Sequence, residues 1–143
     1  ENMGKYYGQG KCLLKNLEIN KIKFIEQPIT LIYGEVYKIK VVFDVLSPLD
    51  DLEFGITLKT VTGINLSNLT IQIGTFDSTE NCQQIDFKFH CLVNSGNYFV
   101  TCGFGSSEKG KRVFQYRYLD LCQIVVNESA DNKCKGYFKL FQD

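Results

Sequence analysis

The chain has 143 residues, of which 44% are hydrophobic and 22% charged, and a formal net charge of zero. This is ordinary globular composition, enough for one domain with its own core. No basic excess is present to grip phosphates, so nucleic acid is not an expected partner, and no stretch approaches the roughly 20 apolar residues of a membrane helix.

The chain opens Glu1-Asn2-Met3, which reads as the start of an excised fragment. From Lys11 to Asn20 apolar residues alternate loosely through Cys12, Leu14, Leu17 and Ile19. Gly34 to Leu46 alternates strictly, with Tyr37, Ile39, Val41, Phe43 and Val45 in one phase. A turn, Ser47-Pro48-Leu49-Asp50-Asp51, leads to Leu52–Thr60, where Phe54, Ile56 and Leu58 share a phase. Successive strand residues point to opposite faces, so each run offers one apolar face to a core. Ile64 to Phe76 reads as a broken pair of short strands. Gln83 to Val93 sets Ile85, Phe87, Phe89 and Cys91 against Gln84, Asp86, Lys88 and His90. Asn97 to Gly105 places Tyr98, Val100, Cys102 and Phe104 inward. The charged stretch Ser106 to Lys111 is a solvated loop. Arg112 to Asn127 contains one or two strands, and Lys133 to Phe141 is a last one.

Helical spacing and caps are nearly absent. About eight short strands with polar turns and no crossover helix imply an all-β, antiparallel, immunoglobulin-like sandwich. Leu92-Val93-Asn94-Ser95-Gly96-Asn97-Tyr98 supports it, because such sandwiches tie a strand-opening tyrosine hydroxyl back to the preceding turn. No linker or internal repeat divides the chain, so residues 1–143 are expected to form a single domain.

The six cysteines are Cys12, Cys82, Cys91, Cys102, Cys122 and Cys134. None are paired as C-x-x-C and His90 is the lone histidine, so no metal site is expected. Cys91, Cys102 and Cys122 sit in phase with apolar neighbours, which favours reduced, buried thiols over a disulfide framework. The sequons at Asn65, Asn68 and Asn127 read as chance matches in an Asn- and Ser-rich chain.

Catalysis finds little support. A nucleophile–base unit would have to use His90, which lies on the polar phase of its strand. Asp50, Asp51 and Glu53 belong to a turn, where aspartate serves local geometry. Gly103-Phe104-Gly105 does not open a helix and is no phosphate loop. Aromatic residues are more suggestive. Lys111 to Tyr118 interleaves rings with arginine, lysine and glutamine, the vocabulary of sugar binding: rings stack on C–H faces and planar polar groups bond hydroxyls. In a sandwich of this type Leu52–Thr60 and Asn97–Gly105 share a sheet. Their outward phases, Gly55, Thr57 and Lys59 with Phe99, Thr101, Gly103 and Gly105, form a small-residue face suited to an extended glycan or a second protomer. The expected carbohydrate site is Thr57, Lys59, Phe99, Thr101, Tyr116 and Arg117. Phe99 and Tyr116 would stack, and the others would bond hydroxyls or an anionic cap.

The marker order GEVYKIKVVFDV, EFGITLKTVTGINL, LVNSGNYFVTCGF and DLCQIVV resembles the C-terminal domain of O-antigen ABC-transporter ATPase subunits of the Wzt type. The markers span about Gly34 to Val126. Cysteine richness and the lack of tryptophan depart from the usual pattern. The resemblance implies a β-sandwich without cofactor, attached to a nucleotide-binding domain that would precede Glu1. It implies recognition of the finished, often capped, end of a lipid-linked lipopolysaccharide O-antigen for export. It also implies a homodimer, at times exchanging a terminal strand, held in the cytoplasm at the inner membrane through the transporter. No single binding residue is carried over. The alternatives are a secreted immunoglobulin-like adhesion or receptor domain stapled by three disulfides, and a glycan-processing enzyme.

Overall fold

A computed structural model describes residues 6–23, 28–127 and 134–141. Its strands are β1 (Tyr6–Tyr7), β2 (Cys12–Ile19), β3 (Ile22–Lys23), β4 (Ile29–Ile32), β5 (Val36–Val45), β6 (Leu49–Thr60), β7 (Asn65–Phe76), β8 (Glu80–His90), β9 (Gly96–Glu108) and β10 (Lys111–Asn127). No helix occurs among the described residues.

Two sheets face each other. One runs β1-β10-β9-β6-β7 with β4 also on β10, and the other runs β3-β2-β5-β8. The chain changes sheet at the Ser47-Pro48 turn, where proline cannot extend a ladder, and again between β7 and β8. Pairing is antiparallel throughout, except that β4 runs parallel to residues 124–127 of β10. The expected sandwich is therefore present, with one parallel edge.

Alternation becomes burial. Ile39, Val41, Phe43 and Val45 of β5 face Phe54, Leu58, Val100 and Phe104 of the opposite sheet across the core. Phe104 is the hub: its ring lies 4.9 Å from Phe43 and 5.1 Å from Phe54, centroid to centroid. Burying such a ring contributes about 1.5–3 kcal/mol. The loose alternation of β2 has a cause, a bulge between Leu14 and Asn16 that inserts one residue against β5. The Tyr98 corner forms as expected: the buried hydroxyl donates to the Asn94 carbonyl at 2.7 Å.

Some expectations change and one narrows: Ser106 to Glu108, expected in a solvated loop, extend β9, and Ser106 is buried. The stretch read as a broken pair is one continuous edge strand, β7. Arg112 to Asn127 is one long strand, β10, interrupted by bulges. Within residues 134–141 the expected last strand is only a bridge, Val93 to Phe138; its expected first residue, Lys133, lies outside the described residues. Cys12, Cys91, Cys102 and Cys122 are buried thiols, and Cys82 is exposed. Burial pushes the Cys12 and Cys102 thiols up to about 12, and Cys122 to about 11. They are packing groups, not nucleophiles.

Candidate carbohydrate face

β6 and β9 pair in a register that aligns their outward small residues. Gly55 sits opposite Gly103, Thr57 opposite Thr101, Lys59 opposite Phe99, and Glu53 opposite Gly105. On one side β7 adds Thr70 beside Gly55, Asn68 beside Thr57 and Gln72 beside Glu53. On the other side β10 adds Arg117 beside Gly103 and Phe114 beside Gly105. A transverse row thus crosses five strands: Thr70, Gly55, Gly103, Arg117 and Tyr7. The two glycines at its centre leave a shallow trough of about 190 Å³, with Thr57, Thr70, Phe114 and Arg117 among its lining.

One wall is a cation–aromatic cluster. The Arg117 guanidinium lies 5.0 Å from the centre of the Phe114 ring and donates to the Tyr7 hydroxyl at 3.0 Å. Tyr7 meets Phe114 edge-on at 5.9 Å. Each end of the trough carries an ion pair. At one, Lys59 Nζ is 2.8 Å from Asp120, whose backbone N–H donates to Thr101 Oγ1 at 3.1 Å. At the other, Arg112 is 3.1 Å from Glu53, which also accepts from Gln72 at 2.9 Å. These pairs are solvent-accessible, so each contributes little to stability. They do fix long side chains in place.

The two central glycines are not equivalent. A Cβ at Gly103 would lie 2.6 Å from the Tyr116 carbonyl oxygen and 3.0 Å from Arg117 Cα, so β10 can approach only glycine there. A Cβ at Gly55 meets only the Leu69 carbonyl oxygen, at 4.0 Å. Packing demands the first glycine; at Gly55 the lack of a side chain keeps the floor open.

Of the six residues singled out from sequence, Thr57, Thr101 and Arg117 line the trough. Lys59 and Phe99 are paired at one end of the same face. Thr101 is buried, its hydroxyl engaged by Asp120. Tyr116 lies on the opposite face and packs against the core. The reason is a bulge at Gln115, a fully buried side chain held by Ser106 Oγ at 3.0 Å and by the Lys11 N–H at 3.1 Å. The extra residue reverses the phase of β10. Phe114 and Arg117 therefore share the outer face, while Tyr116 and Tyr118 turn inward beside Tyr6. Tyr6 stacks on Tyr116 at 5.6 Å and 13°. Burial, then Tyr118, raises the Tyr116 hydroxyl to about 12. Phe114 supplies the exposed ring expected of Tyr116. Sequence reasoning also missed Thr70, Gln72 and Asp120. Thr70 and Gln72 join the face only through register, and Asp120 through a bulge with a φ of 51°.

The sequence profile of the Wzt C-terminal domain matches residues 5–140. The chain belongs to the Wzt C-terminal domain family. Its fold also resembles the solved C-terminal domain of Wzt, with a TM-score of 0.78 and 17% identity, over 100% of this chain and 88% of that one. A Niemann-Pick type C2 protein from Japanese carpenter ant shares the architecture more distantly: TM-score 0.51 and 8% identity over 80% of this chain and 91% of its own. No curated protein matches by sequence. Wzt C-terminal domain membership makes this a non-catalytic C-terminal domain of ABC-transporter subunits, and the family and fold accord with a carbohydrate-binding role in O-antigen export.

Proposed function

We propose that the domain recognises the capped end of a lipid-linked O-antigen polysaccharide and so selects it for export. The observation that carries this reading is the Gly55–Gly103 gap, bounded by the Phe114–Arg117 wall and by the hydroxyls of Thr57 and Thr70. A sugar laid along the trough would stack a C–H face on Phe114. Its hydroxyls would meet Thr57, Thr70 and Gln72, and Arg117 would take an anionic cap. No side chain of this face suggests a nucleophile or a catalytic carboxylate pair, and no cofactor is needed for binding of this kind. In the full transporter the domain would act in the cytoplasm at the inner membrane, as a homodimer joined to the membrane subunit through an ATPase domain.

Isothermal titration with the cognate capped glycan tests the reading. Wild type is expected to bind, Phe114→Ala to weaken binding at least tenfold, about 1.4 kcal/mol, and Gly55→Val to abolish it by filling the floor. Undiminished binding by both variants would discard this face as the site. No binding of any capped glycan by wild type would discard the function.

A further inference from the structure

A separate cavity lies inside the sandwich, away from the outer trough. β7 and β8 leave their shared turn on different sheets and each pairs on one side only. Towards residues 65–69 and 87–90 no strand among the described residues bridges the gap, and a pocket of about 350 Å³ opens between the sheets. Ile39, Phe87 and Phe89 line it from one sheet, Ile56, Leu58 and Val100 from the other. Leu69 pairs with Ile56 and so faces the core, yet it remains 42% exposed, and none of the described residues closes the mouth over it. Water held against the apolar walls of this pocket finds few polar partners and gives weaker dispersion contacts than hydrocarbon would, so an apolar occupant gains by displacing it. The volume falls within the range of small-molecule sites.

The rim has a charge sign. Lys88 and His90 are among its lining, and no acidic residue is among the described ones. Lys88 stands directly opposite Lys38 in the β5–β8 register. Both alternate with the pocket-lining Ile39 and Phe87 and so stand towards the outer side of their sheet; Lys88, on the edge strand, is the one that reaches the pocket. The nearest carboxylate on β8, Asp86, stands opposite Lys40, and Lys40 also pairs with Glu18 at 3.7 Å. Among the described residues neither Lys38 nor Lys88 forms an ion pair. An apolar slot with a cationic lip fits one ligand class.

We propose that the inter-sheet pocket binds a single-chain anionic amphiphile, a fatty-acid-like molecule. Its chain inserts between Phe87 and Ile56 and its head rests at Lys88 on the rim. The proposal is independent of the glycan reading, because the trough is on the other face of the sheet.

Titration with dodecanoate below its micelle concentration tests it, read by calorimetry and by amide chemical shifts. Saturable one-to-one binding is expected, with shifts at Ile56, Leu69 and Phe87. Leu69→Trp, a change at an exposed rim position, should block the mouth and abolish binding, and Ser67→Trp serves as a second plug if the first unfolds. Lys88→Glu should weaken dodecanoate about tenfold while leaving dodecanol unchanged, and Gly55→Val should leave dodecanoate binding intact. Absence of saturable binding, or full binding by folded plug variants, overturns the pocket. Equal loss of dodecanol with Lys88→Glu overturns the role of the head group.

Discussion

The two faces of the β6–β9 pair are built from the same strands and obey opposite rules. Inward, Phe54, Cys102 and Phe104 interlock with the facing sheet. Outward, Gly55, Thr57, Gly103 and Gly105 leave room on purpose, and their polar neighbours are pinned by hydrogen bonds and ion pairs. Stability resides on the inner face, and the outer is the face proposed for recognition. Because side chains alternate, neighbouring residues such as Cys102 and Gly103 serve different tasks.

Substitutions separate the faces. Phe104→Ala removes the aromatic hub and should cost about 3–5 kcal/mol in chemical denaturation. A loss under about 1 kcal/mol would mean that the core is not organised around it. Gly103→Val, on the outer face, should still cost about 1–3 kcal/mol, because its Cβ meets the β10 backbone. That result would show packing reaching through to the recognition face at one point. Buried thiols make the inner face sensitive to alkali. Cys12 and Cys102 are held at about 12 against an ordinary 9.0. Unfolding frees them to ionise, so their contribution is complete below about pH 9 and is lost as pH rises towards 12. The slope is about 1.4 kcal/mol per pH unit per thiol. Denaturation midpoints from pH 8 to 11 should fall, and less steeply in Cys102→Ala. Gly55→Val should change stability by no more than about 0.5 kcal/mol yet abolish glycan binding, the sharpest separation of the two faces.

What the sequence disclosed follows the same division. β5, β6, β8 and β9 have one buried and one solvated side, so their period-2 pattern is written in residue types. β7 was misread as broken because Leu66 falls out of phase with Leu69, Ile71 and Ile73, whose alternation with Thr70 and Gln72 marks only part of this edge strand. β1, β3 and β4 have only two to four residues and exist through their partners. The outer face was legible as a set of small residues on β6 and β9, since alternation alone places them. The aromatic was not. Tyr116 and Phe114 are two apart and should share a face, and only the buried Gln115, tied to Ser106 and Lys11 from elsewhere in the chain, reveals the bulge that parts them.

β10 has a consequence for how the domain comes into being. This strand receives β1 along residues 117–118 and β4 along residues 124–127, so the earliest described segments find their places only against one of the last to be made. On the ribosome, β1 and β4 must wait without partners until β10 has emerged. Assembly dominated by such distant pairings is slow, in the millisecond-to-second range of all-β sandwiches. During that wait β9 presents a bare edge where β10 will dock, the interval in which the nascent chain is most open to aggregation.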